Sequence, residues 1–176
     1  MPSDIIPFFE GFLKKYPAKP PRGNPRHRDE VIQLGEKDGV LEFSLPPISV
    51  THAGHPPGEG REVKNTYLWV IMSDKIPYIL EKGKASLKLN GQEVKHTNLT
   101  GGGLAHCGGE LWFSNEGFFY FSGRSGRYGP DTEGQLSDLA TSLQKSGHSF
   151  ICLGWDEEYG GPSITLREES VWDYRK

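Results

Sequence analysis

Along the chain the spacing of apolar positions changes character twice. Ile5, Phe9, Phe12, Leu13 and Tyr16 share one helical face, with Ser3 placed as a cap and Pro7 tolerable only near the first turn. This predicts an amphipathic N-terminal helix. Residues 17–28 then carry four prolines together with Lys19, Arg22, Arg26 and Arg28. Proline excludes helix and sheet interior, so an extended surface arm is expected. With no aromatic side chains between its charges, the arm reads as a solvated linker, since single-strand binding needs stacking platforms as well as charge.

From Val31 the period shortens. Residues 31–34 and 40–43 are expected as a hairpin about the glycine-flanked loop 35–39. The nearly continuous apolar run 66–72 predicts a central strand covered on both faces, followed by a strand at 76–81 with Pro77 near its start. Residues 85–89, the turn pair Asn90-Gly91 and residues 94–99 read as another hairpin. Residues 110–113 and 118–121 form a third. Strands at 150–153 and 163–166 flank an acidic loop at 156–161. One further helix stands out at 132–146. Asp131 or Thr132 caps it, Gln135 completes a capping box, Leu136, Leu139, Ala140 and Leu143 form its stripe, and Gly147 follows its end.

These elements imply an α+β fold: a single domain with a mostly antiparallel, strongly bent sheet or partial barrel, an N-terminal helix and one helix near 132–146. The helix and basic arm occupy 1–30 and the α+β domain 31–176. Strands and helices do not alternate, which argues against a doubly wound sheet. The long Pro/Gly stretch 46–61 is expected to be a functional or mobile loop.

Composition narrows the function classes. A chain of 176 residues has room for one core. Lys plus Arg is 20 and Asp plus Glu is 23, for a net charge of −3, which disfavours nucleic-acid binding by counterion release. No apolar run is long enough to span a membrane and no signal-peptide pattern opens the chain, so a cytoplasmic protein without a membrane partner is expected. Cys107 and Cys152 lack CxxC spacing and are expected as reduced thiols, a single bridge between them being the alternative in a secreted setting.

The polar and permissive residues concentrate in 95–130. Gly101, Gly102 and Gly126 let backbone amides approach a ligand, and residues 125–130 run into the start of the 132–146 helix, where anions are favoured. Arg127 offers a bidentate fork for the same anion. His96, Glu110 and Tyr128 are candidate catalytic residues, with His96 suited to acid/base work near neutrality. Thr97, Thr100, Gly101, Gly102, Ser125, Gly126 and Arg127 are candidate ligand-binding residues. The opposite reading makes His96 a hydrogen-bonded pin and the glycines turns and bulges. Neither a P-loop nor a dinucleotide fingerprint is present, no G-x-S-x-G elbow surrounds Ser125, and no cofactor is implied. His52, His55, His106 and Cys107 could be imagined around zinc, but their spacing matches no established ligand pattern and no metal is assigned.

The order His96-Thr97-x-Leu99-x-Gly101-Gly102, then Ala105 and Gly109-Glu110, then Ser125-Gly126-Arg127-Tyr128-x-Pro130 resembles a module of uncharacterised bacterial proteins and of the plant calmodulin-binding IQ-motif protein family. The likeness covers about 95–143 and implies a shared fold for that module, not a reaction. Arg127 stands where that module has histidine, Glu110 stands where plant members often carry a basic residue, and there is no IQ motif, so calmodulin is not an implied partner.

Two functions follow. One is a toxin- or effector-like enzyme acting on a phosphate-bearing ligand (a nucleotide, dinucleotide or RNA), with RNA cleavage or ADP-ribose transfer both suited to the residue set. The other is a non-catalytic regulatory or protein-binding module in which the glycine-rich block is structural. A shared opening for His96 and Arg127 would favour the first; internal satisfaction of 125–128 would favour the second.

Overall fold

A computed structural model describes residues 3–45 and 52–176. At its centre is β2 (Tyr67–Ile71), buried along its whole length as its apolar run requires. It pairs on one side with β3 (Pro77–Leu80) and on the other with β4 (Cys107–Phe113), both antiparallel. β1 (Leu41–Glu42) adds to β3, and β5 (Phe119–Ser122) adds to β4 through the expected hairpin at 115–117. β6 (Phe150–Cys152) then lies parallel to β5, because α3 (Glu133–Lys145) crosses over between them, and β9 (Trp172–Asp173) closes the order β1-β3-β2-β4-β5-β6-β9. The result is α+β, with an open sheet not closed into a barrel. A two-stranded hairpin, β7 (Trp155–Asp156) with β8 (Gly161–Pro162), frames the acidic loop. No helix among the described residues is long and apolar enough to cross a membrane.

Strand alternation divides the interior. One face carries Tyr67, Trp69, Ile71, Cys107, Leu111, Phe113, Phe119 and Phe121 against the stripe of α3 and against Ile5, Phe9 and Phe12 of the N-terminal segment. That segment is a 3₁₀ turn (Ile6–Phe9) running into α1 (Glu10–Lys15), and the Ser3 hydroxyl donates to the Phe43 carbonyl instead of capping. The other face carries two separate clusters. Leu68, Val70 and Ile79 pack with Leu34, Ala85, Leu89, Val94 and Leu99 in one; Trp112 packs with Leu153 and Leu166 in the other. Cys107 and Cys152 are both buried as free thiols.

Four expected strands, at 31–34, 85–89, 94–99 and 163–166, do not form. Residues 31–34 do not pair with 40–43, because the Asp38 carboxylate accepts the Gly35 N–H at 2.9 Å and winds Glu36–Asp38 into a 3₁₀ turn. Lys84–Leu87 is also 3₁₀; Asn90 and Gly91 take the positive φ their types favour, but Gly91 N–H returns to Ser86 and no hairpin forms. Residues 94–99 turn into α2 (Thr97–Thr100), so His96 immediately precedes a helical turn and does not end a strand. Asn98 drives this: its side-chain oxygen accepts the Lys95 N–H, and its amide donates to the Asp29 and Ile32 carbonyls, each at 2.8 Å. Residues 163–166 form no strand; Leu166 makes a single bridge to Gly58. Of the 46–61 loop, 46–51 lie outside the described residues, and the remainder is bridged to Phe113, Lys64 and Leu166.

Candidate functional site

The glycine-rich block closes on itself. The Tyr128 hydroxyl donates to the Gly103 carbonyl and lies 2.8 Å from the Thr100 hydroxyl, which also accepts the Gly102 N–H. Gly101 and Gly102, at φ +68° and +84°, make the left-handed return after α2 that this bonding needs. His96 is buried, with Nε2 2.7 Å from the Gly109 carbonyl, and burial lowers its pKa to about 4. Gly108 lets both side chains pack close to β4: a Cβ there would stand 3.0 Å from the Tyr128 Cβ and 3.4 Å from the His96 ring. Thr97 is buried beside them, its hydroxyl unpartnered among the described residues.

Ser125 accepts the Tyr128 N–H at 3.1 Å, and Gly126 is an exposed turn residue. Arg127 is committed elsewhere. One arm of its guanidinium donates to the Arg22 carbonyl at 2.6 Å and the other pairs with Glu30 at 2.7 Å, where the Glu30 side chain is only 3% exposed. The arm is fastened over the same loop, Lys19 and Arg22 both pairing with Asp131. At the start of α3 the Gln135 N–H is taken by the Thr132 hydroxyl, and the preceding Asp131 N–H by the Gln135 side chain. His96 and Tyr128 therefore both border Gly108, and Ser125 supports Tyr128, while Arg127 is locked to Glu30. Glu30 was invisible to local sequence reading because it lies 97 residues from its partner.

Glu110 differs from the rest. It lies on the face of β4 opposite Leu111, in register with Leu68 of β2 and the buried Ser122 of β5. This places it between the two clusters of that face, with Gly108 and His96 to one side and Trp112, whose indole donates to the Thr66 hydroxyl, to the other. No hydrogen bond or ion pair engages its carboxylate among the described residues. Burial pushes its pKa up to about 7; nearby Arg124 opposes the shift and Glu81 reinforces it. Glu81 is itself raised, by burial and by Glu93, with Lys95 opposing. A partly buried carboxyl thus faces a polar strip that includes the exposed cations Lys95 and Arg124. Strand alternation could have paired Glu110 with Ser122; Glu81 and Arg124 could not be found without the strand order.

Comparison of the chain with protein-family models, with curated proteins and with solved structures returns no match, so its function has to be read from this geometry.

Proposed function

We propose that the chain is a small effector-like enzyme acting on a phosphate-bearing ligand, such as a nucleotide or dinucleotide, with Glu110 as its acid/base group. One observation carries this reading: Glu110 alone among the three candidate catalytic residues keeps an unengaged titratable group, on a strand face between two packed clusters. A carboxyl poised near pH 7 can both give and take a proton under neutral conditions. Arg124 and Lys95 supply the charge for a phosphate, and the His96–Tyr128–Gly108 packing steadies the strand that carries Glu110. His96, Tyr128 and Arg127 serve this reading as framework.

A thermal-shift screen against nucleotides and phosphorylated metabolites tests it, because a ligand of the native state raises the midpoint by mass action. The expected result is a ligand that stabilises the wild type and Glu110→Gln, loses its effect in Arg124→Ala, and is turned over by the wild type alone. A second reading, a non-catalytic binding module, is favoured by the internal bonding of His96, Arg127 and Tyr128. A ligand that binds normally to Arg124→Ala, or a screen with no stabilising compound, would replace the first reading with the second.

A further inference from the structure

The outer edge of the sheet is only half covered. β1 meets β3 at Pro77 and Tyr78 alone, and upstream of β1 the chain reaches the 3₁₀ turn at 84–87, where the Lys84 side chain lies against Gly39, 3.6 Å from where a Cβ would stand. Between these segments opens a cavity of 610 Å³, inside the range of about 300–1,000 Å³ typical of small-molecule sites. Leu41, Tyr67, Ile79, Leu80 and Ala85 give it apolar walls.

Its polar lining is uneven in charge. Asp38 is neutralised locally, its carboxylate held by the Gly35 N–H and by Lys88 at 3.4 Å. Lys82 is shared with Glu93 at 3.4 Å. Lys84 has no ion pair among the described residues. Asn65 donates its amide to the Ala53 carbonyl, leaving its side-chain oxygen as an acceptor, and His52 Nδ1 stands 3.3 Å from the Tyr67 hydroxyl. An unpaired cation across an apolar hollow suits a ligand with an anionic head and an apolar body.

We infer that this cavity binds a small organic anion, a carboxylate or phosphate monoester on an aromatic or acyl body, with the charge on Lys84 and the body against Leu41, Ile79 and Leu80. The site is independent of the one built on Glu110 and shares none of its residues.

Fluorescence titration of the full chain with anilinonaphthalene sulfonate, beside the uncharged N-phenylnaphthylamine of similar body, tests the assignment. The sulfonate is expected to bind saturably at one site. Lys84→Glu should weaken it at least tenfold while changing the neutral probe less than twofold, and Leu41→Trp, at a partly exposed position, should fill the hollow and weaken both. Displacement by phenyl phosphate more than by phenylacetate would assign the head as phosphate, and the reverse as carboxylate. Non-saturable sulfonate binding, or equal affinity in Lys84→Glu and wild type with native near-ultraviolet dichroism, overturns the inference. Arg124→Ala should leave both probes unchanged, so this site and the Glu110 reading fail separately.

Discussion

Arg127 shows how one side chain changes meaning once its partners are known. A guanidinium in a glycine-rich turn before a helix has the chemistry of an anion clamp. Here its anion is Glu30, almost fully buried, and its second donor is spent on the Arg22 carbonyl. Removing one member of a buried pair strands the other's charge, which costs about 3–5 kcal/mol, whereas replacing both by apolar groups is far milder. Arg127→Ala is therefore expected to lower stability by about that amount in urea unfolding, and Arg127→Met with Glu30→Leu to recover most of it. Loss of anion binding without loss of stability in Arg127→Ala would return the residue to the clamp role.

At the scale of elements, α3 is the piece whose local and tertiary signals agree. Thr132 accepts the Gln135 N–H at 3.1 Å, Gly147 takes φ +89° just past the end, and Leu136, Leu139, Ala140 and Leu143 all enter the core shared with Trp69 and Phe121. Leu139 is 2% exposed, so Leu139→Asp would bury an unpaired carboxylate and is expected to abolish cooperative melting. A soluble variant with a wild-type melting curve would contradict the packing of α3. The segment 94–100 is the opposite case. Its alternation suits a strand, yet Asn98 satisfies three backbone groups by turning, and those bonds outweigh a weak propensity.

For the whole molecule the buried titratable groups set opposing pH trends. His96 and His148 both have pKa values lowered by burial to about 4 in the fold, against roughly 6.5 unfolded. Between those values the unfolded chain binds protons that the native state refuses, so their contribution is full above about 6.5 and is lost as pH falls toward about 4. Glu110 runs the other way. Its folded pKa is about 7, against roughly 4.3 unfolded; the native state holds the proton longer, so this contribution is full at low pH and is lost as pH rises through about 7. Glu110→Gln removes only the second trend. Relative to wild type, the variant should gain about 1–3 kcal/mol in urea-unfolding stability between pH 5 and pH 8. A difference that stays constant with pH would show that Glu110 ionises normally in the fold.

The α+β class, the central strand at 67–71, the hairpin joining β4 to β5, and α3 with its cap and stripe were all determined by the sequence, because each rests on local periodicity or turn chemistry within about fifteen residues. The concentration of polar groups in 95–130 was equally legible, and His96, Tyr128 and Ser125 do gather there. What those groups are bonded to was decided by the tertiary structure alone. Glu30 pairs with Arg127 from 97 residues away and Asn98 donates to the Asp29 carbonyl from 69 residues away, and the parallel pairing of β6 beside β5 depends on the path of α3. That Glu110 stands unengaged between two clusters of one sheet face is likewise a matter of strand order and packing. A hydrogen bond or ion pair between distant residues leaves no periodic trace in either segment, and so only packing reveals which polar side chains remain available for chemistry.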